Sequence, residues 1–217
     1  MVLLLLALVV SIAAVDSINP STVLPALLYA LGSNGRRDVV LFAAGVFTVS
    51  TAGGLVLVFG PGRELLRAIS TPSKHTVRLV EAGAGVLLLI VALVLWLSRE
   101  RIARQLAKQT LDRGRSAFLL GAGIMAAELP TAVPYFGALI AITEGEKHAL
   151  ASVGLVVAYN LVFVGPLILI WVIITFSGKR GAAIAERLRT HLIAHAPALT
   201  PILFALIGIG LLIAAAL

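Results

Sequence analysis

Six apolar runs, at about 2–31, 38–60, 77–98, 117–142, 149–176 and 198–217, fill most of this 217-residue chain, with only short polar segments between them. A hydrocarbon core about 30 Å thick takes roughly 20 apolar residues per helical crossing. The runs therefore predict six transmembrane helices and short loops. Composition agrees: 60% of residues are apolar and 12% charged, whereas soluble domains are about half apolar and a quarter charged. A chain this apolar cannot solvate its own surface, which excludes a soluble enzyme, a DNA-binding protein and a secreted module. Cysteine is absent, which excludes thiol redox chemistry, cysteine-ligated metals and disulfides.

The formal net charge of +7 is no nucleic-acid signal, because basic residues collect on the cytoplasmic side of membrane proteins during insertion. With six spans, one side carries Arg63, Arg67, Lys74, Arg78 and Lys147. The other carries twelve basic residues on the 32–37 loop, the 99–116 linker and the 177–197 loop. The second side is read as cytoplasmic, with both termini outside. The basic linker carries Ile102, Leu106 and Leu111 near helical spacing. It reads either as a surface helix on anionic headgroups or as a solvated, orienting connector.

The two halves match in register at an offset of 109. Asn19 falls on Glu128, Gly45 on Gly154, and Thr51 on Asn160; Val23-Leu24-Pro25-Ala26 falls on Ala132-Val133-Pro134-Tyr135. Each half has three spans, an odd number, so the halves must have opposite orientations. The predicted organisation is an all-α polytopic membrane protein with an inverted 3+3 repeat: residues 1–98, a basic cytoplasmic linker at 99–116, and residues 117–217. Many transporters use this design for alternating access.

Spans 1 and 4 are interrupted at matching places. Span 1 reads Asp16-Ser17-Ile18-Asn19-Pro20-Ser21-Thr22-Val23-Leu24-Pro25, and span 4 reads Glu128-Leu129-Pro130-Thr131-Ala132-Val133-Pro134-Tyr135. Proline lacks a backbone donor and crowds the preceding turn, so Pro20 and Pro25, and Pro130 and Pro134, predict helix breaks. Freed backbone groups are tolerated in a bilayer only against protein or a wet cavity. Asp16 and Asn19 are spaced to share one helix face, as are Glu128 and Thr131. Eleven apolar or small residues precede Glu128, which sets it deep in the bilayer. An intramembrane carboxyl is costly and marks a functional site by default; one that gains and loses a proton suits proton-coupled transport. Against this stands a structural role, with Asp16 as a helix-break cap. Tyr135 and Asn160 put polar atoms at similar depth, as path-lining groups or as interhelical glue. The four histidines all lie in or beside loops. His191 and His195 have chelating spacing but no evident third ligand, so no metal site is expected. No catalytic motif appears, and neither an enzyme nor a cofactor is expected.

Asp16-Ser17-Ile18-Asn19-Pro20, with Leu24-Pro25-Ala26-Leu27-Leu28-Tyr29-Ala30-Leu31-Gly32 after it, resembles the opening of the LysE-type transporter superfamily. Glu128 through Phe136 resembles the second signature of its GAP branch, the peptidoglycolipid (glycopeptidolipid) addressing proteins of mycobacteria and relatives. The resemblance covers essentially the whole chain. It implies a bacterial inner-membrane protein that helps move glycolipids or lipid-linked envelope precursors outward. The thiol-electron carriers of the superfamily use a cysteine where this chain has Ser21, so that activity is excluded.

The resulting expectation is a transporter whose Asp16 and Glu128 couple transport to protons. Asn19, Thr131, Tyr135 and Asn160 would orient polar substrate atoms. The alternatives are an amino-acid or cation exporter, and a non-transporting scaffold that docks envelope enzymes through its linker. Expected partners are membrane lipids or a glycolipid, with anionic headgroups at the linker; a homodimer or envelope-biosynthesis partners stay open, and nucleic acid is not expected. A cysteine-free chain makes the orientation testable. With an impermeant thiol reagent, Ser73→Cys should label in intact cells and Ser33→Cys only after permeabilisation; the reverse pattern inverts the topology.

Overall fold

The computed structural model describes residues 2–60, 74–108, 116–146 and 148–216. Most of the expected outer loop (61–73), part of the linker (109–115) and Lys147 lie outside the described residues. Those described are helical, with no strand among them. They form α1 (Val2–Asp16), α2 (Pro20–Ala30), α3 (Gly35–Phe59), α4 (Lys74–Lys108), α5 (Ala117–Glu128), α6 (Val133–Gly145), α7 (Ala149–Phe163), α8 (Gly165–Phe176) and α9 (Gly178–Ala216). A 3₁₀ turn, Leu129–Thr131, joins α5 to α6.

Within the described residues, α3 is the one helix long and apolar enough to cross a bilayer unaided. Three bent pairs qualify as broken spans or re-entrant loops: α1 with α2, bent by 63°; α5 with α6, by 72°; and α7 with α8, by 48°. These four candidates match expected spans 1, 2, 4 and 5, and the chain is a helical membrane protein. Expected spans 3 and 6 fall on α4 and on the later part of α9.

The prolines act differently from a simple kink. Pro20 begins α2 and Pro134 lies in the first turn of α6, where a missing N–H costs nothing. Pro130 sits inside the 3₁₀ turn. Pro25 lies within α2 and does not end it, because the helix loses one hydrogen bond there and keeps its neighbours. The third break falls at Val164, just before Gly165 and Pro166.

Two segments read as polar connections are helical. α4 continues through the charged run to Lys108, since Glu-Arg-Ile-Ala-Arg-Gln-Leu-Ala-Lys consists of good helix formers. At the start of that run, Arg99 lies over the Trp96 ring at 4.3 Å and donates to the Trp96 carbonyl at 3.2 Å, a pairing suited to a membrane–water interface. The 177–197 segment is the first half of α9. It turns out of α8 at Gly178, whose φ of +50° favours glycine.

By packing, the chain forms two compact units, each drawing on both halves of the sequence. One holds Met1–Ser70 with Leu111–Leu188; the other holds Thr71–Thr110 with Arg189–Leu217. In the first, α3 runs against α5, α1 against α6 and α7, and α2 against α3 and α8. Its core gathers Val9, Phe42, Val46, Leu139, Ile142 and Val156, all fully buried. In the second, Gly85 and Gly208 face each other: a Cβ on either would lie within 3 Å of the other's carbonyl oxygen.

Backbone contact sets the α3–α5 spacing. A Cβ on Gly45 would collide with the Phe118 carbonyl, and one on Gly121 with the Phe42 carbonyl. Gly123, two residues on, meets nothing within 4 Å. In detergent, Gly45→Leu or Gly121→Leu should therefore destabilise the protein by about 1–3 kcal/mol or more. Gly123→Ala should be neutral or stabilising by up to about 1 kcal/mol. Thermal unfolding checks both; equal responses would mean that this interface is loosely packed.

Candidate functional site

The two strongest breaks bring their polar residues together in the first unit. α1 ends at Asp16 and α5 ends at Glu128, while α2 starts from Asn19. A helix C-terminus offers an anion no favourable dipole, so neither carboxyl is there as a cap. Asn19 is the cap. Its Oδ1 accepts from the Ser21 amide at 3.0 Å and from the Ser21 hydroxyl at 2.8 Å. Its backbone carbonyl accepts from Thr22 Oγ1 at 3.1 Å. The other end of the same amide crosses to the second break, where Asn19 Nδ2 donates to Glu128 Oε2 at 3.1 Å.

A second thread starts at Asp16. Tyr159 of α7 donates its hydroxyl to Asp16 Oδ2 at 2.7 Å. The Tyr159 ring lies 4.8 Å from the Tyr135 ring. Tyr135, at the start of α6, donates to the Ser50 carbonyl of α3 at 2.7 Å and accepts from Asn160 Nδ2 at 3.1 Å. Asn160 also donates to its own helix at the Val156 carbonyl, 2.9 Å away. Ser50 directs its hydroxyl back to Val46, leaving its carbonyl for Tyr135. Gly54 provides the space: a Cβ there would collide with the Tyr135 hydroxyl.

Five of the six expected residues thus join two adjoining networks. Tyr135 and Asn160 are buried, and Asp16, Asn19 and Glu128 are half-buried. The sixth, Thr131, is exposed and bonds the Glu128 carbonyl at 3.0 Å, bracing the break. Sequence reasoning gave Tyr159 no role. Its position beside Asn160 was a signal; the Ser50 carbonyl, a backbone atom, left none. Two buried oxygens, Asn160 Oδ1 and Thr51 Oγ1, have no hydrogen-bond partner. The cluster as built sets two half-buried carboxyls within a network of hydroxyl and amide groups.

No group of three or more metal-ligating side chains gathers among the described residues. His191 and His195 stack on α9 at 4.1 Å, with His195 Nδ1 2.8 Å from the His191 carbonyl.

With this geometry in hand, comparison with known proteins identifies the chain as a member of the Sap family, described as sulfolipid-1-addressing protein, through a match over residues 9–216. The family lies within the GAP/LysE-type superfamily, as the motifs at the two breaks imply. No curated protein and no solved structure matches the chain.

The contact between the breaks can be measured apart from the cap. Asn19→Ala loses both, so a double-mutant cycle with Glu128→Ala isolates the crossing hydrogen bond. Unfolding in detergent should give a coupling of about 0.6–1.7 kcal/mol, as for polar pairs within membranes. A coupling of zero would mean that the two breaks act independently.

Proposed function

We propose that this chain is an inner-membrane transporter that moves a glycolipid or lipid-linked envelope precursor, in a proton-coupled cycle run by Asp16 and Glu128. The observation that carries the reading is the Asn19–Glu128 hydrogen bond, which ties two broken helices and leaves a carboxyl half-buried at their junction. Asn19, Tyr135 and Asn160 would orient polar head-group atoms, with Thr131 at the exposed edge. The orphaned, buried Asn160 Oδ1 and Thr51 Oγ1 would become further polar contacts for a hydroxylated cargo or its water once the helices part. Membership in a sulfolipid-1-addressing family makes an acylated, sulfated sugar the favoured cargo.

The surroundings favour a lipid over a small soluble ion. Val15 and Ile18 are each 76% exposed and Val133 is 71% exposed, so apolar surface borders the polar junction. A lipid keeps its tails against such surface while its head group meets the polar groups. A soluble ion or amino acid would need an enclosing, charge-complementary cavity.

The inverted repeat is part of the proposal. Asn19 and Glu128 are repeat mates, and a pseudo-twofold axis between the halves would bring such mates face to face. Reciprocal packing supports it too: α3 lies on α5, and its mate α7 lies on α1, the mate of α5. With six spans, both termini face outward.

The test is the envelope lipid profile of a deletion strain by mass spectrometry, with complementation. One surface glycolipid class should fall while its intracellular precursor accumulates. Wild type should restore it, and Glu128→Gln, expressed and folded normally, should not. An unchanged profile would reject lipid export and leave the small-solute exporter. Full rescue by Glu128→Gln, with failure on charge reversal of Arg99 and Arg101, would instead identify a scaffold.

A further inference from the structure

The broken-helix cluster presents carboxyl, amide and hydroxyl groups, and none of its residues is cationic. Its carboxyls repel an anion, so a charged head group needs a different foothold. The same unit contains a recess with the right chemistry. A cavity of about 450 Å³ opens between the α2–α3 turn and the α8–α9 turn, lined by residues that include Ser33, Asn34, Arg36, Arg37 and Gly178. That volume falls within the range of small-molecule pockets, roughly 300–1,000 Å³.

Close backbone approaches build its walls. A Cβ on Gly35 would lie 2.5 Å from the Ala30 carbonyl oxygen, and one on Gly181 2.5 Å from that of Ile173. Small residues, Ala30, Gly32 and Ala182, leave the interior open. Arg36 and Arg37 line the recess from the first turn of α3, and no carboxylate is among the lining residues. Neither guanidinium has an ion-pair partner among the described residues. The Asn34 side chain makes no capping bond to α3, so its amide is uncommitted there. A guanidinium fork matches a tetrahedral oxyanion through paired, charge-assisted hydrogen bonds. Orienting the chain in the membrane calls for basic charge at this turn, but it calls for no recess around that charge.

We propose that this recess is a docking site for an oxyanion, a sulfate or phosphate monoester, held by Arg36 and Arg37. Its place as the first stop of a head group, before the sugar hydroxyls reach the broken helices, rests on the lipid-transport reading. The docking itself does not.

The experiment uses the full chain in nanodiscs of neutral lipid at low salt, with calorimetric titration of a sulfated disaccharide and its unsulfated parent. The sulfated sugar should bind and the parent should not. The Arg36→Gln/Arg37→Gln pair should weaken binding by about tenfold or more. The Arg36→Lys/Arg37→Lys pair, which keeps the orienting charge, should recover part of it. Equal binding of the two sugars, or unchanged affinity in a folded glutamine pair, would overturn the proposal. Competition identifies the source of the anion. Displacement by inorganic sulfate or phosphate at similar concentration supports a site for free oxyanions, and resistance to displacement supports a head group. Sulfate-dependent binding beside an unchanged envelope lipid profile would reject lipid export alone. Absent binding beside a defective profile would reject the recess alone.

Discussion

A helix interrupted within hydrocarbon exposes amides and carbonyls that water cannot reach, and each must find a partner in the protein. The first unit of this chain is arranged around that requirement. Asn19 meets it at one break while its free amide end reaches across to Glu128 of the other. Thr22 and Thr131 attend to nearby carbonyls. The repairs at the two breaks are therefore joined, and the group that joins them ends on an ionisable carboxyl. A change in the protonation of Glu128 would alter the contact between the broken helices themselves, which gives the proposed coupling a direct mechanical route.

That junction depends on close packing elsewhere. Gly45 and Gly121 let α3 and α5 approach until backbone touches backbone. Gly54 admits the Tyr135 hydroxyl to the surface of α3, where the Ser50 carbonyl receives it. Tyr135 in turn sits against Tyr159, which holds Asp16. Small residues and polar contacts are the usual means of associating helices in lipid, where no hydrophobic force draws them together. Here the same devices also position both carboxyls.

Much of this was legible along the chain. The alternation of apolar runs with short polar stretches announced a helical membrane protein, and Asn19-Pro20 and Leu129-Pro130 announced where two helices stop. These are local properties: proline's missing N–H and an asparagine beside a helix start act within one turn. Less was legible where local signals compete. Pro25 suggested a break that α2 tolerates. The polar residues at 178–197 suggested a loop, yet Ala185 among them is buried and the segment is helical. Gly165-Pro166 marked a third break whose signal was present but unread.

The sequence by itself determined the solvent of this protein, the helical state of its segments and the sites of its two main breaks. Each follows from hydropathy and backbone chemistry acting over a few residues. Only the tertiary structure decided which broken ends meet. Asn19 finds Glu128 across 109 positions and Tyr159 finds Asp16 across 143. Apolar helix faces of leucine, valine and alanine carry almost no address for one another. Their pairing is set by where glycines let backbones close in and where buried polar atoms find partners, and those matches exist only once the helices are packed.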